Sequence, residues 1–102
     1  MKELDHSNFE AEAMKGNVVL DFWAVWCNPC KQLLPILEAA QKEVPHVKIC
    51  KIDVDQNIEL AKRFGVRGVP ALVFLKDGKE VSRNVGVLSV AEIKSRTQQL
   101  FK

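Results

Sequence analysis

The chain has 102 residues, of which 47% are hydrophobic and 27% are charged, and its formal net charge is +2. These values are typical of a globular domain that buries its own core, so residues 1–102 are predicted to form a single domain. The lysines and arginines are scattered and the net charge is small, so neither nucleic acid nor an anionic membrane is expected as a partner.

The amino-terminal residues and the cysteine count bear on the cellular compartment. Residues 1–15 contain no apolar segment of the kind that signal peptides carry, and no apolar run reaches the roughly 20 residues of a membrane span. Three cysteines are an odd and sparse set, whereas secreted disulfide scaffolds usually carry even and dense sets. We therefore expect a cytoplasmic protein, in which a close cysteine pair is more often catalytic or metal-binding than structural.

The first third of the chain predicts two strands and a helix. Residues 1–5 are compatible with an edge strand, and Ser7 and Glu10 have the spacing of a capping box. That box would open a short helix over residues 8–15, which Gly16 is expected to end. A continuous apolar run then predicts a buried strand from residue 17 to residue 24.

Helical spacing of apolar residues follows from Pro29 to Val44, with Pro35 inside the predicted helix as a source of a kink. A second strand is predicted over Val47–Val54. Asn57 is expected to cap a short helix that Gly65 ends. The middle of the chain is thus predicted to be helix, strand and helix.

The last third of the chain predicts a hairpin and a helix. Strands over Ala71–Lys76 and Lys79–Val85 flank an Asp-Gly turn, and Ser89 and Glu92 form a second capping box. The final helix is expected to point four apolar side chains inward: Val90, Ile93, Leu100 and Phe101. Because strand–helix–strand units are right-handed and give parallel pairs, the sequence predicts a three-layer α/β fold with a mixed sheet.

A pair of cysteines stands where that architecture concentrates reactive groups. Cys27 follows the first buried strand and opens the long helix, where unpaired N–H groups and the helix dipole favour an anion. The pKa of the Cys27 thiol should therefore be depressed, whereas Cys30, one turn further along, should be shielded. This arrangement predicts that Cys27 attacks a target disulfide and that Cys30 resolves the mixed disulfide.

Two other interpretations of the cysteines compete with this one. Cys27, Cys30, His46 and Cys50 have zinc-like spacing, but a helix of roughly 15 residues would hold Cys27 about 20 Å from His46. The second alternative is a pair of inert buried thiols. The position at a helix start beside a tryptophan argues against inert thiols.

Several ordered motifs resemble the thioredoxin family over essentially the whole chain. They are DFWA at 21–24, WC-x-PCK at 26–31, Pro35, Lys51, GVRGVP at 65–70, KDG at 76–78 and Gly86. The resemblance implies a thioredoxin fold with a central mixed sheet of about five strands, four flanking helices and a cis peptide bond between Val69 and Pro70. It also implies a surface that receives an extended stretch of the partner protein, formed by Trp26, Asn28, Pro29, Val69, Pro70, Val85 and Gly86.

One carboxylate interrupts the first buried strand. Burial of Asp21 without a partner should raise its pKa and make it able to exchange a proton. The resemblance places Asp21 behind Cys30, as the group that helps deprotonate that thiol, and places Lys51 near Asp21. The alternatives are a plain buried ion pair, or a Lys51 side chain that reaches solvent.

The sequence departs from the usual family pattern at three positions. Asn28 stands where a glycine is usual, Val25 where an acidic residue is common, and Ala71 where a hydroxylated residue is common. Asn28 could donate a hydrogen bond to a cysteine sulfur or cap the helix. Its presence bears on the redox potential, while Val25 and Ala71 would make the docking surface more apolar.

The sequence therefore predicts a monomeric protein-disulfide reductase that acts by dithiol–disulfide exchange through Cys27 and Cys30. No metal or organic cofactor is expected, and the resemblance implies a flavoenzyme, thioredoxin reductase, as the electron donor. The alternatives are a disulfide oxidase or isomerase with a shifted potential, and a non-catalytic binding subunit. Cys50 is expected to be a core residue, and both histidines, His6 and His46, are expected to be solvated.

Overall fold

The computed structural model describes residues 1–102, which form five strands and four helices as the resemblance implied. The bounds are β1 Lys2–Leu4, α1 Phe9–Ala13, β2 Asn17–Trp23, α2 Asn28–Glu43, β3 Lys48–Asp53, α3 Ile58–Arg63, β4 Ala71–Lys76, β5 Lys79–Val85 and α4 Val90–Leu100. No helix combines the length and the apolar content that crossing a lipid bilayer requires.

The five strands form one mixed sheet in the order β1–β3–β2–β4–β5. Strand β3 is parallel to both β1 and β2, whereas β4 is antiparallel to β2 and to β5. The predicted α/β class and mixed sheet are therefore confirmed. The central position of β2 explains its continuous apolar sequence, because helices cover both faces of a central strand.

Two apolar clusters lie on opposite faces of the sheet. Helices α1 and α3 cover one face, where twelve buried residues pack together: Leu4, Phe9, Ala13, Val18, Leu20, Phe22, Cys50, Ile52, Leu60, Ala71, Val73 and Leu75. Helices α2 and α4 cover the other face with a second twelve: Val19, Leu33, Leu37, Ala40, Val44, Val47, Ile49, Leu72, Phe74, Leu88, Ile93 and Phe101. The alternation of β2 side chains between the two clusters fixes the face to which each of its residues points.

Helix α2 forms because its apolar residues recur on one side. Cys30, Leu33, Leu37 and Ala40 are buried at helical spacing, while Pro35 lies inside the helix on the exposed side. Cys27 is the N-cap residue, so the helix begins directly after it. Because the chain must turn back to reach the parallel strand β3, α2 runs antiparallel to β2 and its first turn lies at the carboxyl end of that strand.

The local turn and cap signals were confirmed at the end of the chain. The predicted Asp-Gly hairpin turn places Asp77 and Gly78 at φ 49° and φ 81°, which suit this dipeptide. The Ser89 side chain accepts from the Glu92 backbone N–H at 3.1 Å, and the Glu92 carboxylate accepts from the Ser89 backbone N–H at 3.0 Å. Phe101 is buried as expected but lies just beyond α4, as its C-cap residue.

Two predicted caps were wrong in their details. Ser7 and Glu10 form no capping box, because Asp5 Oδ1 instead accepts from the backbone N–H groups of Ser7 and Asn8. Asn57 is the N-cap residue of α3, but its side chain donates to the Asp53 carbonyl at 3.0 Å rather than capping the helix. Before α1 the Asp5 carboxylate competes for the backbone N–H groups, whereas at α3 the Asn57 Oδ1 has no hydrogen-bond partner.

Candidate active site

The two cysteines of the first motif are joined by a disulfide bond, with Cα atoms 5.3 Å apart. Cys27 is 5% exposed and Cys30 is fully buried, so the only outlet to solvent is through the first cysteine. Both side chains pack in a small cluster with Ala24, and half-buried Trp23 and Val69 lie against it. The structure therefore brings the pair together at the carboxyl end of β2. As predicted, Cys30 is the more shielded of the two.

The environment of the Cys27 sulfur favours negative charge. As N-cap residue of α2, Cys27 accepts a hydrogen bond at its Sγ from the Cys30 backbone N–H at 3.2 Å. The sulfur thus occupies the place that a serine or aspartate oxygen takes in ordinary caps, at the positive end of the helix dipole. Such a position stabilises a thiolate once the disulfide is reduced.

The four residues of the zinc alternative do not converge. Cys27 and Cys30 are bonded to one another, whereas Cys50 belongs to the core cluster on the opposite face of the sheet. His46 is exposed and precedes β3, at the end of the sheet away from the disulfide. The arrangement needed for a tetrahedral site is therefore absent.

The loop that leads into β4 contacts the cysteine pair. The Val69–Pro70 peptide bond is cis, as the resemblance implied, and Val69 packs against the cysteine cluster. The Pro70 carbonyl accepts a hydrogen bond from the Gly86 backbone N–H at 2.9 Å, which ties this loop to the end of β5. Gly86 adopts φ 107°, a conformation that favours glycine.

The predicted docking residues differ in exposure. Trp26 and Val85 are 66% and 67% exposed, Asn28 and Pro29 are exposed, Val69 and Gly86 are half-buried, and Pro70 is buried. A groove of about 110 Å³ lies beside them, lined by Trp26, Val54, Val66, Arg67, Gly68 and Val69. Sequence reasoning did not single out Val54, Val66, Arg67 or Gly68 individually, although three of them lie within the matching motif at 65–70.

The position of the exposed tryptophan depends on a residue that the sequence analysis missed. The Trp26 indole Nε1 donates to the Asp55 carboxylate at 2.8 Å. Asp55 lies in the loop after β3, which is held to β2 by a hydrogen bond from the Val54 N–H to the Trp23 carbonyl at 2.9 Å. The only available signal was the position of Asp55 after a strand that ends beside the cysteine-bearing strand.

Neither predicted role of the Asn28 side chain is seen in the structure. Asn28 is the first residue of α2 and is exposed, while the cap itself is Cys27. The hydrogen bond to the Cys27 sulfur comes from the Cys30 backbone, not from the Asn28 amide. The asparagine therefore presents an additional polar side chain beside the disulfide without fixing either sulfur.

Asp21 is fully buried on β2, and neither of its carboxylate oxygens has a hydrogen-bond partner. Its side chain points to the same face as Val19, which packs with Leu33 and Leu37 of α2. Because α2 runs antiparallel to β2, this register brings Asp21 towards the first turn of α2, which carries Cys30. Burial raises the pKa of the Asp21 carboxyl to about 7, and the positive charge of Lys51 offsets part of the rise.

Lys51 is half-buried and lies directly across the β2–β3 pair from Asp21. Its ammonium does not bond to the carboxylate but stands 5.1 Å from the centroid of the Trp23 ring. The plain ion-pair alternative is therefore wrong for this arrangement. Trp23 was quoted in the motif at 21–24, but its contact with Lys51 follows only from the strand register.

The third cysteine is a core residue, as expected. Cys50 is fully buried among the apolar side chains under α1 and α3, and burial raises the pKa of its thiol to about 11. His6 and His46 are exposed, which confirms the expectation for both histidines.

Cys50 is therefore predicted to resist alkylation in the folded protein. With the disulfide intact, iodoacetamide at pH 8 should modify Cys50 at least about 100-fold more slowly than it modifies a free cysteine. The reagent cannot reach the buried sulfur, and the raised pKa leaves little of the reactive thiolate. Mass spectrometry of the native and urea-unfolded protein measures this difference. Equal rates in the two states would contradict the burial of Cys50.

Comparisons with known proteins identify the arrangement. A sequence model of the thioredoxin family matches residues 1–99. The thioredoxin of Bacillus subtilis strain 168 is 48% identical over 87 residues, which cover 84% of this chain and 83% of that protein. The thioredoxin of Chlamydia trachomatis serovar D is 45% identical over 84 residues, 82% of each chain. The chain belongs to the thioredoxin family.

A solved structure agrees with the sequence matches. A single-site mutant of a thioredoxin from Halobacterium salinarum NRC-1 superposes with a TM-score of 0.92 at 32% identity, covering 99% of this chain and 90% of that chain. The thioredoxin fold is thereby confirmed. The chain is a thiol–disulfide oxidoreductase of the protein-disulfide reductase type, and neither the oxidase or isomerase alternative nor the binding-subunit alternative is favoured.

Family membership also carries general statements about the reaction. Thioredoxins work through a redox-active disulfide rather than a prosthetic group, and no group of three histidine, cysteine or acidic side chains in this chain is placed to hold a metal ion. Disulfide-containing proteins are the substrates, and a reductase returns the electrons.

Proposed function

We propose that Cys27 is the attacking thiolate, that Cys30 is the resolving thiol and that Asp21 accepts the Cys30 proton. The observation that carries the proposal is the difference between the two cysteines. The Cys27 sulfur caps α2 and residue Cys27 has the only exposed surface of the pair, whereas Cys30 is fully buried. Residues 1–102 are proposed to form one domain that carries both cysteines and Asp21.

In the first step, the Cys27 thiolate attacks one sulfur of a target disulfide. A bond forms between Cys27 and that sulfur, the target S–S bond breaks, and the other target sulfur leaves as a thiolate. The hydrogen bond from the Cys30 N–H and the α2 dipole favour the reactive form of Cys27 at neutral pH.

In the second step, Cys30 loses its proton and attacks the Cys27 sulfur. The mixed disulfide breaks, the second target sulfur leaves as a thiolate, and the Cys27–Cys30 disulfide forms, so two electrons pass to the target. Asp21 has a pKa of about 7 and no competing hydrogen bond, so it can accept the proton in its ionised form. Lys51 offsets part of the cost of that negative charge.

The target is proposed to dock on the surface that surrounds the disulfide: Trp26, Asn28, Pro29, Val69, Pro70, Val85 and Gly86. The exposed indole of Trp26 and the exposed Val85 side chain provide apolar contact area for an extended segment of the target. Val25 is 58% exposed and extends the apolar area. A target whose disulfide is flanked by apolar residues would fit this surface best.

The proposed setting is the cytoplasm, where thiols are kept reduced and a reductive exchange is thermodynamically supported. A thioredoxin reductase would return the Cys27–Cys30 disulfide to the dithiol, and the protein would act as a monomer without metal or organic cofactor.

Three measurements test this function. The reduced protein should cleave insulin disulfides faster than dithiothreitol at equal concentration, and a bacterial thioredoxin reductase with NADPH should sustain turnover. Equilibration with glutathione should give a reduction potential in the thioredoxin range, about −270 mV. A potential of about −120 mV, which is typical of strong disulfide oxidants, would contradict a reductase.

A further inference from the structure

Lys51 has two partners within reach on one face of the sheet. Asp21 and Trp23 are alternate residues of β2, so their side chains point to the same face, and Lys51 is the β3 neighbour of Asp21. The Lys51 ammonium lies 5.1 Å from the Trp23 ring centroid, within the range of a cation–π contact. Neither Asp21 oxygen receives a hydrogen bond, so Lys51 does not donate to its nearest acid.

The tryptophan ring is held in place for this contact. Trp23 is half-buried at the end of β2 and packs against the cluster formed by Ala24, Cys27 and Cys30. Its electron-rich face offers a cation an attraction that does not require a negative charge. The ring therefore provides a binding position for the ammonium beside Asp21 but not on it.

We propose that Trp23 is a positioning residue, which holds the Lys51 ammonium on its ring and so keeps Lys51 from forming an ion pair with Asp21. The proposal rests on the role of Asp21 as proton acceptor. A carboxylate locked in a direct ion pair would be a weak base, because the pairing stabilises its charged form. When Lys51 is held at a distance, it lowers the cost of the negative charge on Asp21, and Asp21 remains basic enough to accept a proton.

Few other charged groups face Asp21. Strand β4 places the apolar Leu72 opposite it, and α2 contributes the cysteine pair. Asp53 follows Lys51 on the same face of β3, but its Oδ1 already accepts two backbone N–H groups of the next loop, at 2.9 Å and 3.3 Å. Asp21 lies directly across from Lys51 and both of its oxygens lack a partner, so Asp21 is the acceptor that Lys51 should reach if the ring were removed.

Removal of the ring tests the proposal. In Trp23→Leu, Lys51 should pair with Asp21, and the pKa of the Asp21 carboxyl should fall by about one pH unit. The pH profile of insulin reduction should shift to lower pH by the same amount. Trp23→Phe keeps an aromatic face and should retain most of the parent behaviour. Carboxyl ¹³C NMR titration of the oxidised protein, with Asp21→Asn to assign the signal, measures the pKa directly.

A lowered Asp21 pKa in Trp23→Leu could come from pairing with Lys51 or from water that enters the vacated space, and a double variant distinguishes these two causes. Trp23→Leu combined with Lys51→Met should return the Asp21 pKa to the parent value or above it. The proposal is overturned if Trp23→Leu leaves the titration unchanged, or if the double variant keeps the lowered pKa. A carboxyl titration that shifts while the pH profile of turnover stays constant would uphold the placement of Lys51 by Trp23 and reject Asp21 as the proton acceptor.

If Trp23→Leu fails to fold, fluorinated tryptophan of nearly the same size can replace Trp23 instead. Fluorinated tryptophans weaken the negative ring face without changing the packing, and a Trp26→Phe background confines the label to Trp23. The Asp21 pKa should fall stepwise with the number of fluorines. A pKa that is independent of fluorination would also overturn the proposal.

Discussion

Cys30→Ser is expected to convert the protein from a catalyst into a trap for its targets. Cys27 would still open a target disulfide, but no second thiol would stand beside the mixed disulfide to release it. Because an intramolecular attack is replaced by attack from external thiol, turnover at millimolar thiol should fall by at least on the order of 10³-fold. Trapped targets should migrate with the protein on non-reducing gels and separate on addition of dithiothreitol.

Two matched serine variants control the trapping experiment. Cys27→Ser removes the attacking sulfur and should trap nothing, while Cys50→Ser changes only the buried core thiol and should keep the parent turnover. The assignment of roles would fail if Cys27→Ser trapped as much as Cys30→Ser. Targets that stay bound to Cys30→Ser through dithiothreitol treatment would indicate a clamp rather than an exchange enzyme.

Asp21→Asn is expected to slow the reductase while leaving the fold intact. Loss of a positioned proton acceptor should reduce the rate of insulin reduction by about 10²-fold, the lower end of the effect of general base catalysis. In the parent, the rate should rise as the pH passes through about 7, because Asp21 must be ionised to accept the proton. In Asp21→Asn this inflection should disappear, and parent-like kinetics across neutral pH would remove Asp21 from the mechanism.

The same substitution should increase stability, with a defined pH dependence. The folded state raises the Asp21 pKa from 3.8 to about 7, so between these values the folded protein holds a proton that the unfolded chain has lost. The free energy of unfolding of the parent therefore falls as pH rises through this window, by roughly 4 kcal/mol in all. Asp21→Asn should lack this decline, and its advantage over the parent should level off above pH 7.

Urea unfolding of both proteins across that pH range measures the effect. Glu38→Gln removes one exposed carboxyl of α2 and controls for the change in net charge. A stability difference between Asp21→Asn and the parent that is independent of pH would contradict the ionisation of a buried carboxyl as its cause.

Local signals in the sequence accounted for most of the secondary structure. The two hairpin strands have the predicted bounds, and Gly16, Gly65 and the Asp-Gly turn have the positive φ angles that such positions require. The Ser89 capping box formed because both partners lie within one turn of the chain. These features depend on residues that are close in sequence, so tertiary contacts had little to decide.

The cysteine pair could likewise be predicted from residues that are close in sequence. Its position between a buried strand and a helix start is a property of about fifteen consecutive residues, and the helix dipole acts within the first turn. The carboxylate of Asp21 was likewise conspicuous, because a charged residue in a central strand has no route to solvent.

The chain by itself therefore determined the elements, the reactive cysteines and the isolation of one acid. Only the tertiary structure decided that Asp55 hydrogen-bonds to Trp26 and that Lys51 lies over Trp23 rather than against Asp21. Each of these contacts depends on the register between strands or on the meeting of loops. A sequence pattern records which face a side chain occupies, but the distances across neighbouring strands select which partner it binds.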